Sequence, residues 1–416
     1  MLETKKLGEV CKFVRGPFGG SLKKNCFVEN GNAVYEQQHA IYNQFSEIRY
    51  FINDEKFEEM KRFELKSGDL IMSCSGTMGK VAIVPANIKK GIINQALLKL
   101  TPSKNLDIEY LRYWMSSPDF IQRIEENTVG AAIKNVASVK ILKEIKVPVP
   151  PLQQQQQIVA IINQAFEAID QAKANIEKNI ANAKELFQSK LNEIFSQKDD
   201  GWEEKSLGEI ADVNYGYTDK STSEGDFRYI RITDIDNNGE LDKAGKVFIK
   251  STTEALNFIL KENDLLMART GATFAKVLLY KEYEPSIFAS YLIKISFTVD
   301  IINELYWYFT KSGYYWEQAN NLSSGSAQPH FNGAALKKVK FSYPIDTEKQ
   351  KELIEIIKGF DITSKEIVSL YKQKLNNLED LKKSILQKAF AGELTNMDFL
   401  QQVAEPEASY TKKQLF

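Results

Sequence analysis

The chain repeats itself once, at a nearly constant offset. Leu2-Glu3-Thr4-Lys5-Lys6-Leu7-Gly8-Glu9-Val10 returns as Trp202-Glu203-Glu204-Lys205-Ser206-Leu207-Gly208-Glu209-Ile210. Leu65–Met72 returns as Leu260–Met267, Leu142–Val147 as Leu336–Phe341, and Leu186–Phe195 as Leu381–Phe390. The offsets lie between 194 and 200 residues. A period of roughly 20–50 residues would build a solenoid, whereas one this long leaves each copy enough chain for its own core. Two similar modules on one chain are expected to touch two similar things.

Composition narrows the classes. An apolar share of 43% in 416 residues suffices for ordinary packed cores in two to four domains. The start, Met1-Leu2-Glu3-Thr4-Lys5-Lys6, is charged with no apolar stretch behind it, which reads as no secretory leader. No run reaches the ~18 apolar residues of a membrane span. Cys11, Cys26 and Cys74 are odd in number and form no C-x-x-C, which reads as reduced thiols in a cytoplasm. His39 and His330 fall in different halves and build no Cys/His zinc site with them, so no metal is expected in this chain. The formal net charge of −1 argues against a general attraction to nucleic acid, but it divides unevenly. Residues 1–151 come to about +5 and residues 201–345 to about −3. DNA contacts in the second half therefore have to rest on locally placed groups.

Each half holds a mixed stretch and then a helical one. Strands are predicted at Lys80–Val84 and Ala96–Leu100, and a helix from Asp107 to Glu126. The second half offers strands near Tyr229–Ile232, Lys276–Tyr280 and Tyr291–Ile295, then a helix from Ile302 to Asn320. The expected fold class is α/β, with a small mixed sheet plus helices in each module. After Pro150-Pro151 no Pro or Gly occurs from Gln153 to Phe195. Apolar residues there recur in steps of three and four at Ile158, Ile162, Ala165, Ile169, Ala172, Ile176, Ile180, Ala183, Phe187, Leu191 and Ile194, a coiled-coil seam. The second copy offers Ile357, Phe360, Ile367, Leu378, Leu381 and Ile385. At ~1.5 Å per residue each helix spans about 60 Å. Antiparallel pairing between the two copies is preferred here to each helix lying on its own module. The boundaries are 1–151, first module; 152–200, first long helix; 201–345, second module; 346–416, second long helix and tail. The modules are expected at opposite ends of a pseudo-two-fold helix pair.

These residues resemble a type I restriction-modification specificity subunit over nearly the whole chain. The resemblance rests on the Lys-x-Leu-Gly-Glu opening of each half and the Gly/Asn-Asp-Leu strand ending in Met72 and Met267 before a Ser/Thr-Gly turn. It also rests on the Gly325–Asn332 loop, the Pro-Val-Pro-Pro-Leu-Gln lead-in to the first long helix, and Leu381–Leu394. It implies two target-recognition domains, each reading one half of a split sequence in double-stranded DNA. It implies two docked methyltransferase subunits, which would hold S-adenosylmethionine, and optional translocating nuclease subunits using ATP and magnesium. It implies no cofactor in this chain. The first copy departs from the loop pattern with Gly130-Ala131-Ala132-Ile133-Lys134-Asn135, which bears on the bases read.

Apparent catalytic motifs fail on spacing. Gly76-Thr77-Met78-Gly79-Lys80 has two residues between its glycines where a phosphate loop needs four. Glu203-Glu204-Lys205 resembles part of a nuclease site, but its repeat Glu3-Thr4-Lys5 has no acidic partner ahead of it. No Asn/Asp-Pro-Pro-Tyr/Phe and no G-x-G-x-x-G occurs, so no catalysis is expected. Base readout needs donors and acceptors at groove edges and cations on phosphates. Candidates in the first module are Arg15, Lys23, Lys24, Ser75, Thr77, Lys80, Lys134 and Asn135, with Ser73, Asn94 and Gln95 beside them. The second offers Arg228, Arg231, Arg269, Thr270, Thr273, Lys276, Gln328, His330 and Asn332. Arg269 leads, because its turn is otherwise small and polar. The rival reading is a coiled-coil adaptor whose end domains bind proteins, kept open by the acidic second module.

Overall fold

The computed structural model describes residues 3–18, 20–126, 139–197, 200–236, 238–242, 244–282, 284–324 and 330–394. The chain separates into two compact units, residues 1–176 with 373–416, and residues 177–372. Each contains one module with one end of each long helix.

In the first unit β1 (Thr4–Lys6) pairs antiparallel with β9 (Lys146–Pro148). A four-stranded antiparallel sheet runs β2 (Cys11–Arg15), β8 (Leu97–Pro102), β5 (Leu70–Ser73), β6 (Val81–Ile83). A three-stranded sheet runs β4 (Tyr50–Ile52), β3 (Asn32–Tyr35), β7 (Gly91–Ile93), with β3 and β7 parallel. The second unit repeats this plan strand for strand. There β10 (Trp202–Ser206) pairs with β18 (Lys340–Pro344). Its four-stranded sheet runs β11 (Ala211–Tyr215), β17 (Leu292–Phe297), β14 (Leu265–Ala268), β15 (Val277–Leu279). Its three-stranded sheet runs β13 (Phe248–Ile249), β12 (Phe227–Ile230), β16 (Ser286–Phe288). Adding nine to a strand number of the first unit gives its counterpart, so the duplication lies in topology as well as in sequence.

The four-stranded sheets are covered on both faces, which explains their unbroken apolar runs. Leu70 and Met72 face one core cluster while Ile71 faces another, and Leu265 and Met267 are divided in the same way from Leu266 and Ala268. The repeated Leu-Gly-Glu segment forms one short helical turn in each unit, Leu7–Val10 and Leu207–Ile210. Glu9 accepts the Lys6 N–H at 3.0 Å and Glu209 accepts the Ser206 N–H at 2.8 Å, closing each turn. The N–H groups of Leu7 and Leu207 donate to Ile145 and Val339, both at 2.8 Å. A Cβ on Gly8 would lie 2.8 Å from Lys143 Cβ, and one on Gly208 3.1 Å from Lys337 Cβ. Two of the repeated segments are thus the two sides of one contact. Gly8→Ala is expected to cost about 1–3 kcal/mol through that forced shift; a urea midpoint equal to that of the parent would show the contact to be slack.

Two predicted helices are broken. Ile108–Met115 and Pro118–Glu126 replace the continuous helix expected from Asp107, because Pro118 has no N–H and begins a new one. Asn303–Phe309 and Gly313–Leu322 replace the other, with the Ser312 hydroxyl accepting the Tyr315 N–H at the new start.

The long helices span Leu152–Phe195 and Thr347–Ala391. In the first unit they run antiparallel, since Asp170 pairs with Lys382 and Lys173 with Glu379, each at 2.5 Å. In the second, Ser364 Oγ donates to the Ala183 carbonyl at 3.2 Å and Lys190 lies over the Phe360 ring at 5.6 Å. The choice between pairing and packing on a module was a false one. Ile158, Ile162, Ala165, Ile169 and Ile385 are buried in the same cluster as Tyr110 and Trp114, while Leu378 and Leu381 pack against it. Ile194 and Ile357 are buried with Phe309 and Phe341 of the second module. Ile176 and Ile180 are half-buried. Phe360 and Ile367 leave the seam and are exposed. The inward stripe instead passes Ile357, Asp361, Ser364, Val368, Tyr371, Leu375 and Leu378, an alternation of fours and threes with none of these exposed. Its polar members are satisfied: Asp361 pairs with Lys365 at 3.1 Å, and Ser364 holds the Ala183 carbonyl.

A glutamine ties each module to the helix that follows it. Gln155, fully buried, donates to the carbonyls of Pro150 (2.7 Å) and Asn105 (3.0 Å) and accepts the Asp107 N–H (2.8 Å). Gln350, equally buried, donates to Pro344 and Asp300 (both 2.9 Å) and accepts the Ile302 N–H (2.9 Å).

Candidate nucleic-acid interface

In each module the end of one outer strand and the turn after a central strand look across the start of a third. The backbone bonds that fix this place are the same in both. Gly16 N–H donates to Leu97 and Cys74 N–H to Ala96, both at 2.9 Å. In the second module Gly216 N–H donates to Leu292 at 3.2 Å and Arg269 N–H to Tyr291 at 3.1 Å. Only glycine fits after the outer strand, since a Cβ on Gly16 would lie 1.8 Å from the Asn94 carbonyl oxygen and one on Gly216 2.3 Å from that of Ala289.

The side chains at this place are exchanged between modules. In the second, Arg269 follows β14, and its guanidinium lies 5.2 Å from the ring of Tyr215 on β11 and 5.6 Å from that of Tyr291. In the first, the residue equivalent to Arg269 is Cys74 and the one equivalent to Tyr215 is Arg15. Burial pushes the Cys74 thiol up to about 11, with the positive charge of the nearby Arg15 guanidinium pulling the other way. Each module therefore presents one half-buried arginine at the same backbone site, from β2 in one and from the turn after β14 in the other.

Around Arg269 the structure gathers Thr270 and His330, which are bridged strand-like to each other, and the Phe331 N–H donates to the Arg269 carbonyl at 2.9 Å. His330 is exposed. Asn332 is exposed too, but its side chain caps the short helix Gly333–Leu336 by accepting the Ala335 N–H at 2.9 Å. Thr273 donates its hydroxyl to the Ile232 carbonyl at 3.1 Å, and Lys276 is half-buried. In the first module Lys23, Lys24, Thr77, Lys80 and Gln95 are exposed and Ser75 is half-buried. Ser73 is buried and accepts the Lys80 N–H, while Asn94 accepts the Ala96 N–H. Lys134, Asn135 and Gln328 lie outside the described residues.

Two expected contacts are structural. Arg228 is 2% exposed, donates to the Asp242 carbonyl at 2.7 Å and lies 3.8 Å from Glu284, so it cannot reach a groove edge. Arg231 pairs with Asp234 at 2.8 Å and is tied into the turn it opens. Sequence reasoning passed over three aromatics at the same places. Tyr215 and Tyr291 flank Arg269 and are 44% and 56% exposed; Phe18, just beyond Arg15, is 91% exposed. Large apolar rings held out of a core beside an arginine suit stacking on bases or sugars. Phe18 was legible as an aromatic in a Gly-Pro-Phe-Gly-Gly run, too short of apolar neighbours to be core.

Among the described residues no group of three or more His, Cys, Asp or Glu is placed to hold a metal ion. No helix among them is long and apolar enough to cross a membrane. The family described as "Type I restriction modification DNA specificity domain" matches residues 2–182 and again 199–380. The MjaVIII type I restriction enzyme specificity subunit of Methanocaldococcus jannaschii is 26% identical over 342 residues, 75% of this chain and 76% of that one. The EcoKI specificity subunit of Escherichia coli is 23% identical over 316 residues, 71% of this chain and 68% of that one. A chain from a solved type I restriction-modification system superposes with a TM-score of 0.72 at 15% identity, covering 94% of this chain and 98% of that one. The HsdS subunit from Thermoanaerobacter tengcongensis gives 0.58 at 16% identity, over 94% and 97% of the two chains. With the family matched in both halves and the duplicated fold shared, the chain belongs to the type I restriction-modification DNA specificity subunits.

Proposed function

We propose that each module reads one half of a split DNA target in the cytoplasm, and that the long helices carry two methyltransferase subunits that modify the sequence so chosen. One observation carries this reading: the duplicated fold offers a single arginine at the same backbone site in each module, beside exposed aromatics. A guanidinium can bond guanine O6 and N7 together, the commonest specific contact in the major groove. Because the two arginines approach from different strands, the halves read need not be alike. The chemistry belongs to the partners: S-adenosylmethionine on the methyltransferase, ATP and magnesium on an optional nuclease. This chain contributes selection without catalysis.

The second long helix supports the docking role. Ile356, Phe360, Ile367 and Leu370 recur at steps of four, seven and three and are 37–59% exposed, an apolar stripe on a second face of the helix. Such a stripe at heptad spacing suits a helix from another subunit. The double variant Phe360→Glu with Ile367→Glu is expected to weaken methyltransferase binding about tenfold or more. The stability of the chain alone should change by no more than about 1 kcal/mol, because Ile367 is exposed and Phe360 gives up only its contact with Lys190. Co-purification and melting measure the two; unchanged retention would move docking elsewhere. The decisive experiment gives the chain with its methyltransferase a randomised duplex library. Enrichment of two short motifs at a fixed gap upholds the reading, and a single continuous motif overturns it.

A further inference from the structure

Within the unit of residues 177–372 the second module and the two helices line an open-mouthed cavity of ≈ 600 Å³. Five lysines reach its wall, Lys184 from the first long helix, Lys276 and Lys311 from the module, and Lys365 and Lys372 from the second long helix, against one carboxylate, Asp361. That carboxylate is already engaged by Lys365, which also pairs with Glu240 at 3.0 Å. Lys311 is different. Its ammonium lies 3.4 Å from the Trp307 ring centre, and among the described residues no carboxylate forms an ion pair with it. This half-buried ammonium rests on ring faces, with carboxylates near it but none paired to it, so it keeps part of its desolvation cost, which an incoming anion would offset. The cavity also has an aromatic and aliphatic side, with Phe187, Trp316, Val277 and Val368. Its volume lies within the ~300–1,000 Å³ usual for small-molecule sites.

We propose that this cavity binds phosphate esters, with Lys311 meeting the phosphoryl oxygens and the aromatic side taking the attached organic group. The ester can be a free nucleotide or a stretch of DNA backbone; the charge chemistry is shared and the test separates them. The site shares Lys276 with the surroundings of the arginine turn but includes none of Arg269, Thr270, Thr273, His330 or Asn332, and nothing in it depends on which bases are read.

The proposal predicts a pH dependence of a definite sign. Burial lowers the Lys311 ammonium to about 8, with Lys365 pushing the same way and Asp361, Glu240 and Asp236 opposing. Lys184, Lys276 and Lys372 are the other cations on the wall. Glu240 and Asp361 hold Lys365 above its ordinary value against its burial. A bound anion favours protonated Lys311, so affinity is full below pH 8 and falls as pH rises past it.

The experiment titrates the full chain with ADP in low salt by calorimetry at pH 7 and pH 9. Saturable binding that weakens at pH 9 is expected. Lys311→Met should weaken it about tenfold or more, equivalent to 1.4 kcal/mol, while Lys220→Met, an exposed lysine outside the cavity, should change nothing. Because Lys311 packs on Trp307, the paired exposed change Lys184→Met with Lys372→Met provides a second variant that spares the core, expected to weaken binding several-fold. A non-target duplex is the competitor: displacement of ADP assigns the site to DNA backbone, and no displacement assigns it to a free ester. Two results overturn the proposal. One is no saturable ADP binding together with duplex affinity indifferent to all three lysines; the other is folded variants that bind like the parent.

Discussion

Replacing Arg269 with alanine is expected to erase discrimination at one half of the DNA target and to leave the other half as it was. A bidentate guanidinium on a base edge supplies about 1–3 kcal/mol of preference over a wrong base, which is roughly five- to 150-fold at 1.4 kcal/mol per decade. The loss should be confined because each module has its own sheets and core, so nothing in the first unit needs Arg269. The variant should also remain folded. Arg269 rests against two exposed tyrosines and fills no core position, and such changes usually stay within about 0.5 kcal/mol. Arg15→Ala is the mirror experiment and should blur the opposite half. The measurement is the sequence profile of methylation by the reconstituted complex on a library randomised in both halves. Equal loss in both halves would mean that the modules do not read alone. A sharp profile in both would remove the arginines from the readout and leave the exposed aromatics as the next candidates.

The exchange of Arg15/Cys74 for Tyr215/Arg269 marks where sequence reading stops. The repeat aligns Arg269 with a cysteine, so from sequence the first module lacks its arginine; only the folded sheet shows one arriving from the neighbouring strand. What sequence did reveal was whatever local pattern enforces: the duplicated strands, the Leu-Gly-Glu turns and the small polar turn at Thr270-Gly271. It could not tell Arg228 from Arg269, because one sits in an apolar strand and the other just after one, and only tertiary cover makes Arg228 internal. It lost the second helix's seam at Asp361 and Ser364, since an apolar count cannot admit a polar residue whose group is satisfied by an ion pair one turn on, as at Asp361, or by the other helix, as at Ser364. It also passed over Gln155, one of five glutamines in a row, whose neighbours carry no such burden. The cavity around Lys311 has no local signature at all, as its walls come from five separated stretches of chain.

Gln155→Leu should be among the most destabilising single changes in the first unit, and Gln350→Leu its counterpart in the second. Each removes two donors and one acceptor at once, leaving two carbonyls and an N–H at the base of a long helix without partners. An unsatisfied buried group costs about 1–3 kcal/mol, so a loss of about 3–5 kcal/mol is expected even if one group regains water. That is a large share of the ~5–15 kcal/mol that holds a typical protein folded. Urea unfolding measures it, and a loss under about 1 kcal/mol would show that the clamp is ornamental. Gln155→Glu sharpens the test through its pH dependence. The introduced carboxyl would face two carbonyl oxygens in a buried place, which raises its folded-state pKa above the unfolded value. Protonated, it can donate to one carbonyl; ionised, it repels both. Its stability deficit should therefore shrink as pH falls through that raised pKa, and it should grow as pH rises. A deficit independent of pH would mean that the side chain swings into solvent, and that the module is held to its helix by apolar packing alone.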